Sequence, residues 1–246
     1  MIRLPVHIAH RALHDRRDGR PENSRAAIRA ALDRGYAIEI DIQPSSDGVA
    51  MVFHDAVLDR LTDATGPVAG QSADDLSRTR LRGGADGIPT LAEVLTMVDG
   101  AVPLLIEVKD QDGEMGPNVG PLEDAVIDAL RCYGGEVAVM SFNPHSVAHI
   151  AERAPDLPRG LTTSAFDQAH WPELGAATRE RLRAMPDLGR IGAQFISHEA
   201  AALDMPEVAR VRATGRAILC WTVRSAAAEA TALRVADSVT FEGYLP

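Results

Sequence analysis

The sequence predicts an α/β chain, a (β/α)8 TIM barrel with an antiparallel hairpin return strand after strand 2 and a small insertion. Three observations carry this expectation. Nine short apolar β-type runs recur along 246 residues, with helical patterns in the intervals between most of them. One interval, QPSSDG between Ile42 and Val49, is six residues long, whereas a parallel crossover needs a dozen or more. Setting that antiparallel return aside leaves eight parallel strands, which suits a barrel of about 250 residues.

The runs lie at 6–10, 37–42, 49–53, 104–108, 137–142, 160–163, 193–197, 217–223 and 238–241. A helix at 23–34 opens at PENS, with Asn23 read as its cap. Another at 90–98 carries Thr90 as N-cap and Glu93 three residues on, a capping box; a third spans 225–235. In QPSSDG, Asp47-Gly48 is a favoured two-residue turn. With those two at the turn centre, Ser46 faces Val49 and Asp41 faces His54. Pro44 is tolerated because this arm projects as an edge. The segment 56–87 reads as an insertion, part loop and part short helix, lying over the active-site end. A doubly wound open sheet is the alternative, but no GxGxxG follows the first strand. No linker rich in Gly, Pro or Ser divides the chain, so 1–246 is expected to be a single domain.

A net charge of −10, from 25 basic and 35 acidic residues, argues against a generic nucleic-acid surface. It also requires that an anionic substrate meet a local cation. The opening MIRLPVHIAHR has an apolar run too short for a signal peptide. No run approaches the ~18 apolar residues of a membrane span. Cys132 and Cys220 lie outside any CxxC or Cys/His spacing and read as buried structural thiols of a reducing cytoplasm.

The chemistry concentrates at strand ends. In IEIDI, Ile38, Ile40 and Ile42 share one face and Glu39 and Asp41 the other, because side chains alternate along a strand. In a barrel the isoleucines meet the helices, and the carboxylates point inward near the C-terminal end, where barrel active sites lie. Two buried carboxylates roughly 7 Å apart at Cα need a cation or several donors. A hard ion such as Mg²⁺ or Ca²⁺ fits oxygen ligands, and pairing with rim Arg or Lys is the rival reading. LLIEVKD repeats the pattern, with Glu107 and Lys109 inward. A single lysine, the only one in the chain, does not neutralise three carboxylates, which favours the metal. His10-Arg11 ends the first strand and His54-Asp55 the return strand. Two histidines beside such a set can bind metal or act as general acid and base. With Arg11 and Lys109 they suit a phosphate ester.

In order along nearly the whole chain, HIAHR, PENS, IEIDIQPSSDG, VFHDAVLDRLTDATGPV, IPTLAEVL, IEVK, SFNP and CWTV resemble the glycerophosphodiester phosphodiesterase family. The resemblance implies a TIM-barrel enzyme of lipid and glycerol metabolism. Such an enzyme hydrolyses glycerophosphodiesters to glycerol 3-phosphate and an alcohol, with a divalent metal, Mg²⁺ or Ca²⁺. Carried over, it implies Glu39, Asp41 and Glu107 as metal ligands, His10 and His54 as the acid–base pair, and Arg11 and Lys109 as phosphate contacts. Phe142 and Trp221 match positions lining the substrate pocket. The chain departs from the family's HRG at Ala12, in the longer, charged segment ALHDRRDGR, and at VTFEGYLP, where Glu242 stands near the family's acid. Trp171 is expected to anchor packing of the segment that follows it. Rival functions are a lysophospholipid diesterase, a metal-dependent isomerase or aldolase, and a silent phosphate-binding barrel. An aldolase Lys needs a depressed pKa, and three carboxylates would keep Lys109 charged; a silent binder has no need of the histidine pair.

Overall fold

The computed structural model describes residues 5–246, so the start of the apolar opening run, 1–4, lies outside the described residues. In chain order the elements are β1 (His7–Ala9), α1 (Arg25–Leu32), β2 (Ala37–Pro44), β3 (Ala50–Val52), α2 (Ala73–Arg78), α3 (Leu91–Val98), β4 (Leu104–Val108) and α4 (Pro121–Leu130). There follow β5 (Val137–Ser141), α5 (Pro144–Arg153), β6 (Arg159–Thr163), α6 (Ala176–Ala184), β7 (Phe195–Glu199), α7 (Pro206–Ala213), β8 (Ala217–Val223), α8 (Ala226–Ala232) and β9 (Ser238–Phe241). Eight strands pair in parallel, and β1 pairs with both β9 and β2, which closes the barrel. The ninth, β3, lies antiparallel on the outer part of β2.

Alternation along the strands decides what fills each layer. Ile8, Ala37, Leu105, Ala138, Met140, Phe195 and Leu219 point inward and pack together inside the barrel. The opposite parity, including Ile38, Ile40, Ile42, Ile106 and Val108, packs with residues of α1, α3 and α4. Full burial of each such side chain stabilises by roughly 1.5–3 kcal/mol. The helix starts are set by side chains: Thr90 and Glu93 form the expected capping box, and Ser225 caps α8. Residues 56–87 carry α2 and a small core of their own, with Leu58, Leu61, Val68, Leu76 and Leu81 packed against Met51 and Phe53. Among the described residues no helix is long and apolar enough to cross a membrane.

Four expectations are corrected. The hairpin register is Ile42 opposite Val52 and Pro44 opposite Ala50, so Asp41 stands opposite Phe53, not His54. The loop closes with Ser45 N–H donating to Val49 O at 3.0 Å and Gly48 at φ +80°. That is a three-residue turn ending in the left-handed region, not a two-residue one; the Ser45 hydroxyl, accepting from Val49 N–H at 2.8 Å, favours it. The cap of α1 is Ser24, whose hydroxyl accepts from Ala27 N–H at 3.1 Å, and Asn23 is released for another task. Cys132 is exposed just beyond the end of α4, while Cys220 is buried as expected.

Candidate active site

At the C-terminal mouth of the barrel, one cleft of about 140 Å³ is lined by residues that include His10, Arg11, Glu39, Asp41, His54, Glu107, Lys109, Phe142 and Trp221. All nine residues singled out in the sequence therefore meet. Register explains the acidic set: Asp41 and Glu107 are direct partners across β2 and β4, and Glu39 sits two residues deeper on β2. Carboxylate oxygens of the three lie within 4.8 Å of one another, and each side chain is buried.

Lys109 Nζ lies 2.7 Å from Asp41 Oδ1 and also bonds Glu107. The Arg11 backbone N–H donates to Glu39 at 2.8 Å, and Asn23 Nδ2 donates to Asp41 Oδ2 at 2.9 Å. Burial raises the Asp41 carboxyl, but Lys109, with His54 and Arg11 behind it, outweighs burial and holds Asp41 far below the usual range. The same burial would lower Lys109, and Asp41 and Glu107 instead hold its ammonium above its ordinary value. Glu39 is pushed well up by burial and then by the charges of Asp41 and Glu107. Three carboxylates against Lys109 and Arg11 leave one negative charge without a counterion, and it falls on Glu39. This donor set, three hard oxygens around a charge deficit, fits a divalent cation.

Each histidine is held by a carboxylate. His10 Nδ1 lies 2.6 Å from Glu242 Oε2, and His54 Nδ1 lies 2.7 Å from Asp55 Oδ1. Occupied Nδ1 atoms leave Nε2 as the reactive nitrogen of each ring. Burial lowers the pKa of His10 despite the Glu242 hydrogen bond. Glu242 is itself held low, against burial, by His10, His14 and Arg224; the last donates at 2.7 Å.

A second ring of contacts fixes the cations. Glu22 accepts from Arg11 Nη1 at 2.7 Å, and Arg60 bridges Glu22 and Asp55. Asn23, which the sequence had explained as a helix cap, and Glu22 beside it are thus in contact with the site. Glu242 stood out in the sequence only as a carboxylate near the family's acid, with no role attached, and Arg60 left no signal. The hydroxyls of Ser197 and Thr240 are buried on the cleft wall without a protein partner, free to bond a ligand. Phe142 packs 5.5 Å from Trp221 and 5.0 Å from Trp171, ring centre to ring centre, so Trp171 backs the aromatic wall as the packing anchor expected. Ala12 takes φ +63°, the left-handed geometry that explains a glycine in the family's HRG.

A closed parallel barrel with acids, cations and paired histidines at its C-terminal mouth defines the class, a (β/α)8 barrel whose polar site suits a phosphate ester. Residues 10–239 match the glycerophosphoryl diester phosphodiesterase family, and the chain belongs to that family. It is 31% identical to a glycerophosphodiester phosphodiesterase of Caldanaerobacter subterraneus subsp. tengcongensis over 57% of this chain and 60% of that one. Human glycerophosphodiester phosphodiesterase 1 is 30% identical over 66% of this chain and 50% of its own length. In fold it is similar to an Oleispira antarctica phosphodiesterase solved with its product sn-glycerol-3-phosphate. That match has a TM-score of 0.78 and 23% identity, covering 97% of this chain and 93% of the other.

Proposed function

We propose that this chain hydrolyses glycerophosphodiesters to glycerol 3-phosphate and an alcohol, using Mg²⁺ or Ca²⁺ held by Glu39, Asp41 and Glu107. The observation that carries this reading is the convergence of an undercompensated acidic triad with two carboxylate-held histidines in one cleft. When bound, the cation supplies charge neutralisation and Lewis acidity at the phosphoryl oxygens.

The protein's own groups do the rest. Arg11, anchored through Nη1 to Glu22, keeps a buried Nε without a hydrogen-bond partner, a donor available to a phosphate oxygen. Lys109 orients Asp41 and Glu107 and adds fixed positive charge to stabilise the transition state. One histidine takes the proton of the attacking hydroxyl as the new P–O bond forms. The other delivers a proton to the departing alkoxide as the old P–O bond breaks. Where the attacker is the substrate's own 2-hydroxyl rather than water, the product is a cyclic phosphate, which water opens to glycerol 3-phosphate with the two histidines in exchanged roles. Phe142 and Trp221 pack the organic portion of the substrate. The two unpaired thiols agree with a cytoplasmic setting.

The test is glycerol 3-phosphate release from glycerophosphocholine by metal-stripped protein, resupplied with Mg²⁺ or Ca²⁺, beside His10→Ala and His54→Ala. Release that requires metal and disappears in both variants supports the reading. Folded protein that releases nothing from several head groups with either metal overturns it.

A further inference from the structure

Beside the cleft lies a second, larger groove into which five arginines converge: Arg16, Arg17, Arg20, Arg34 and Arg224. In a chain of net charge −10 this is a local reversal of sign. The acids that share the groove are engaged. Asp15 accepts from the Arg17 backbone N–H at 2.9 Å, Asp18 lies 3.2 Å from Arg20, and Glu242 serves His10 and Arg224. Among the described residues Arg16, Arg17 and Arg34 enter no ion pair, and Arg20 Nε is buried without a hydrogen-bond partner. The lining keeps a surplus of two positive charges.

The groove is built, not a frayed loop. Asp15 and Arg20 exchange backbone hydrogen bonds at 2.7 and 3.0 Å, enclosing a 3-10 turn at Arg16–Asp18 that ends on Gly19 at φ +71°. This is the charged segment in which the chain departs from its family. Its position relative to the cleft is specific: Arg224 lines both spaces, and Glu242, the partner of His10, stands on the groove side. The two substituents on a diester phosphorus diverge. With the phosphorus in the cleft, the aromatic wall of Phe142 and Trp221 offers a place for one, and the arginines beyond His10 offer a place for the other. Guanidinium forks match phosphate oxygens, and Leu13, Phe241 and Tyr244 line the same groove.

Resting on the proposed diesterase activity, we propose that this groove is a subsite for the leaving alcohol, and that the preferred alcohol is anionic and bears a second phosphate. The experiment compares kcat/KM for bis(glycerophospho)glycerol, whose leaving alcohol carries a phosphate, with that for glycerophosphocholine, whose alcohol is a cation. Wild-type protein at low salt is expected to favour the anionic alcohol by roughly tenfold, the sum of a few exposed ion contacts, and to lose much of that preference at 0.5 M salt, where the Debye length is only about 4–5 Å. Arg17→Glu combined with Arg34→Glu, both exposed and away from the reacting atoms, reverses the sign of the groove, so it erases the preference by lowering kcat/KM for the anionic alcohol and raising, not lowering, that for glycerophosphocholine. Equal rates on the two diesters, or a preference that survives both substitutions, overturns the subsite and leaves the diesterase reading standing. Absence of glycerol 3-phosphate from both substrates removes both.

Discussion

Replacing Glu242 with Gln isolates what its charge does for His10. The amide keeps the shape and can still accept from Nδ1–H, so the ring stays oriented while the hydrogen bond becomes neutral. Hydrogen bonds to charged groups contribute about 1.5–3 kcal/mol and neutral ones about 0.5–1.5, so the imidazolium loses about 1–1.5 kcal/mol, close to one pKa unit. Burial already lowers His10, and Glu242 is the main group opposing it; without that charge the pKa falls further. The limb of the kcat/KM–pH profile belonging to His10 should therefore move about one unit toward lower pH. The direction is the same whether His10 acts as acid or base. Arg224, with its side chain 66% exposed, loses a partner at little cost. Glu242→Ala, which also frees the ring, should lower kcat by a further order of magnitude with little change in KM. A Gln variant with wild-type melting behaviour and an unmoved profile would refute the positioning argument.

Other outcomes follow from separate parts of the molecule. His198 is fully buried, pairing Nδ1 with Thr163 Oγ1 at 2.8 Å and Nε2 with Ala202 O at 3.2 Å, and burial lowers its pKa from 6.5 to about 4. The unfolded chain takes this proton first, so stability is full above pH 6.5 and declines as pH falls toward 4, by about 3 kcal/mol; melting scans from pH 7 to 4.5 should show a slope that His198→Gln flattens. Saturating Mg²⁺ or Ca²⁺ at a hundredfold Kd adds about 2.7 kcal/mol, a melting increase of roughly 5–10 °C, absent in Glu39→Gln. Metal-free Glu39→Gln should itself melt no lower than the parent, because its charge is opposed by burial and two carboxylates. Ala12→Gly should shift stability by less than about 0.5 kcal/mol in either direction: relief of the left-handed strain, about 1–2 kcal/mol, is offset by the lost methyl and the greater unfolded-state freedom of glycine. A larger change in denaturant midpoint would contradict that balance.

The sequence by itself determined whatever depends on local periodicity. Alternation in IEIDI and LLIEVKD placed isoleucines outward and Glu39, Asp41, Glu107 and Lys109 inward, because parity along a strand needs no knowledge of its neighbours. The brevity of QPSSDG forced the return strand, and the count of remaining strands gave the barrel. Thr90 and Glu93 announced their helix because a capping box is confined to four residues. What the tertiary structure decided is whatever depends on closure and register. The turn at 46–48 takes three residues because the Ser45 hydroxyl binds Val49 N–H, and that single step moved Phe53 opposite Asp41. Asn23 turned from a helix cap into an Asp41 ligand because Ser24, one residue on, was better aligned with Ala27. Glu242 reaches His10 across 232 positions of sequence because β9 pairs with β1, Phe241 beside Ala9. A hydrogen bond between the two ends of a chain exists only once the barrel has closed.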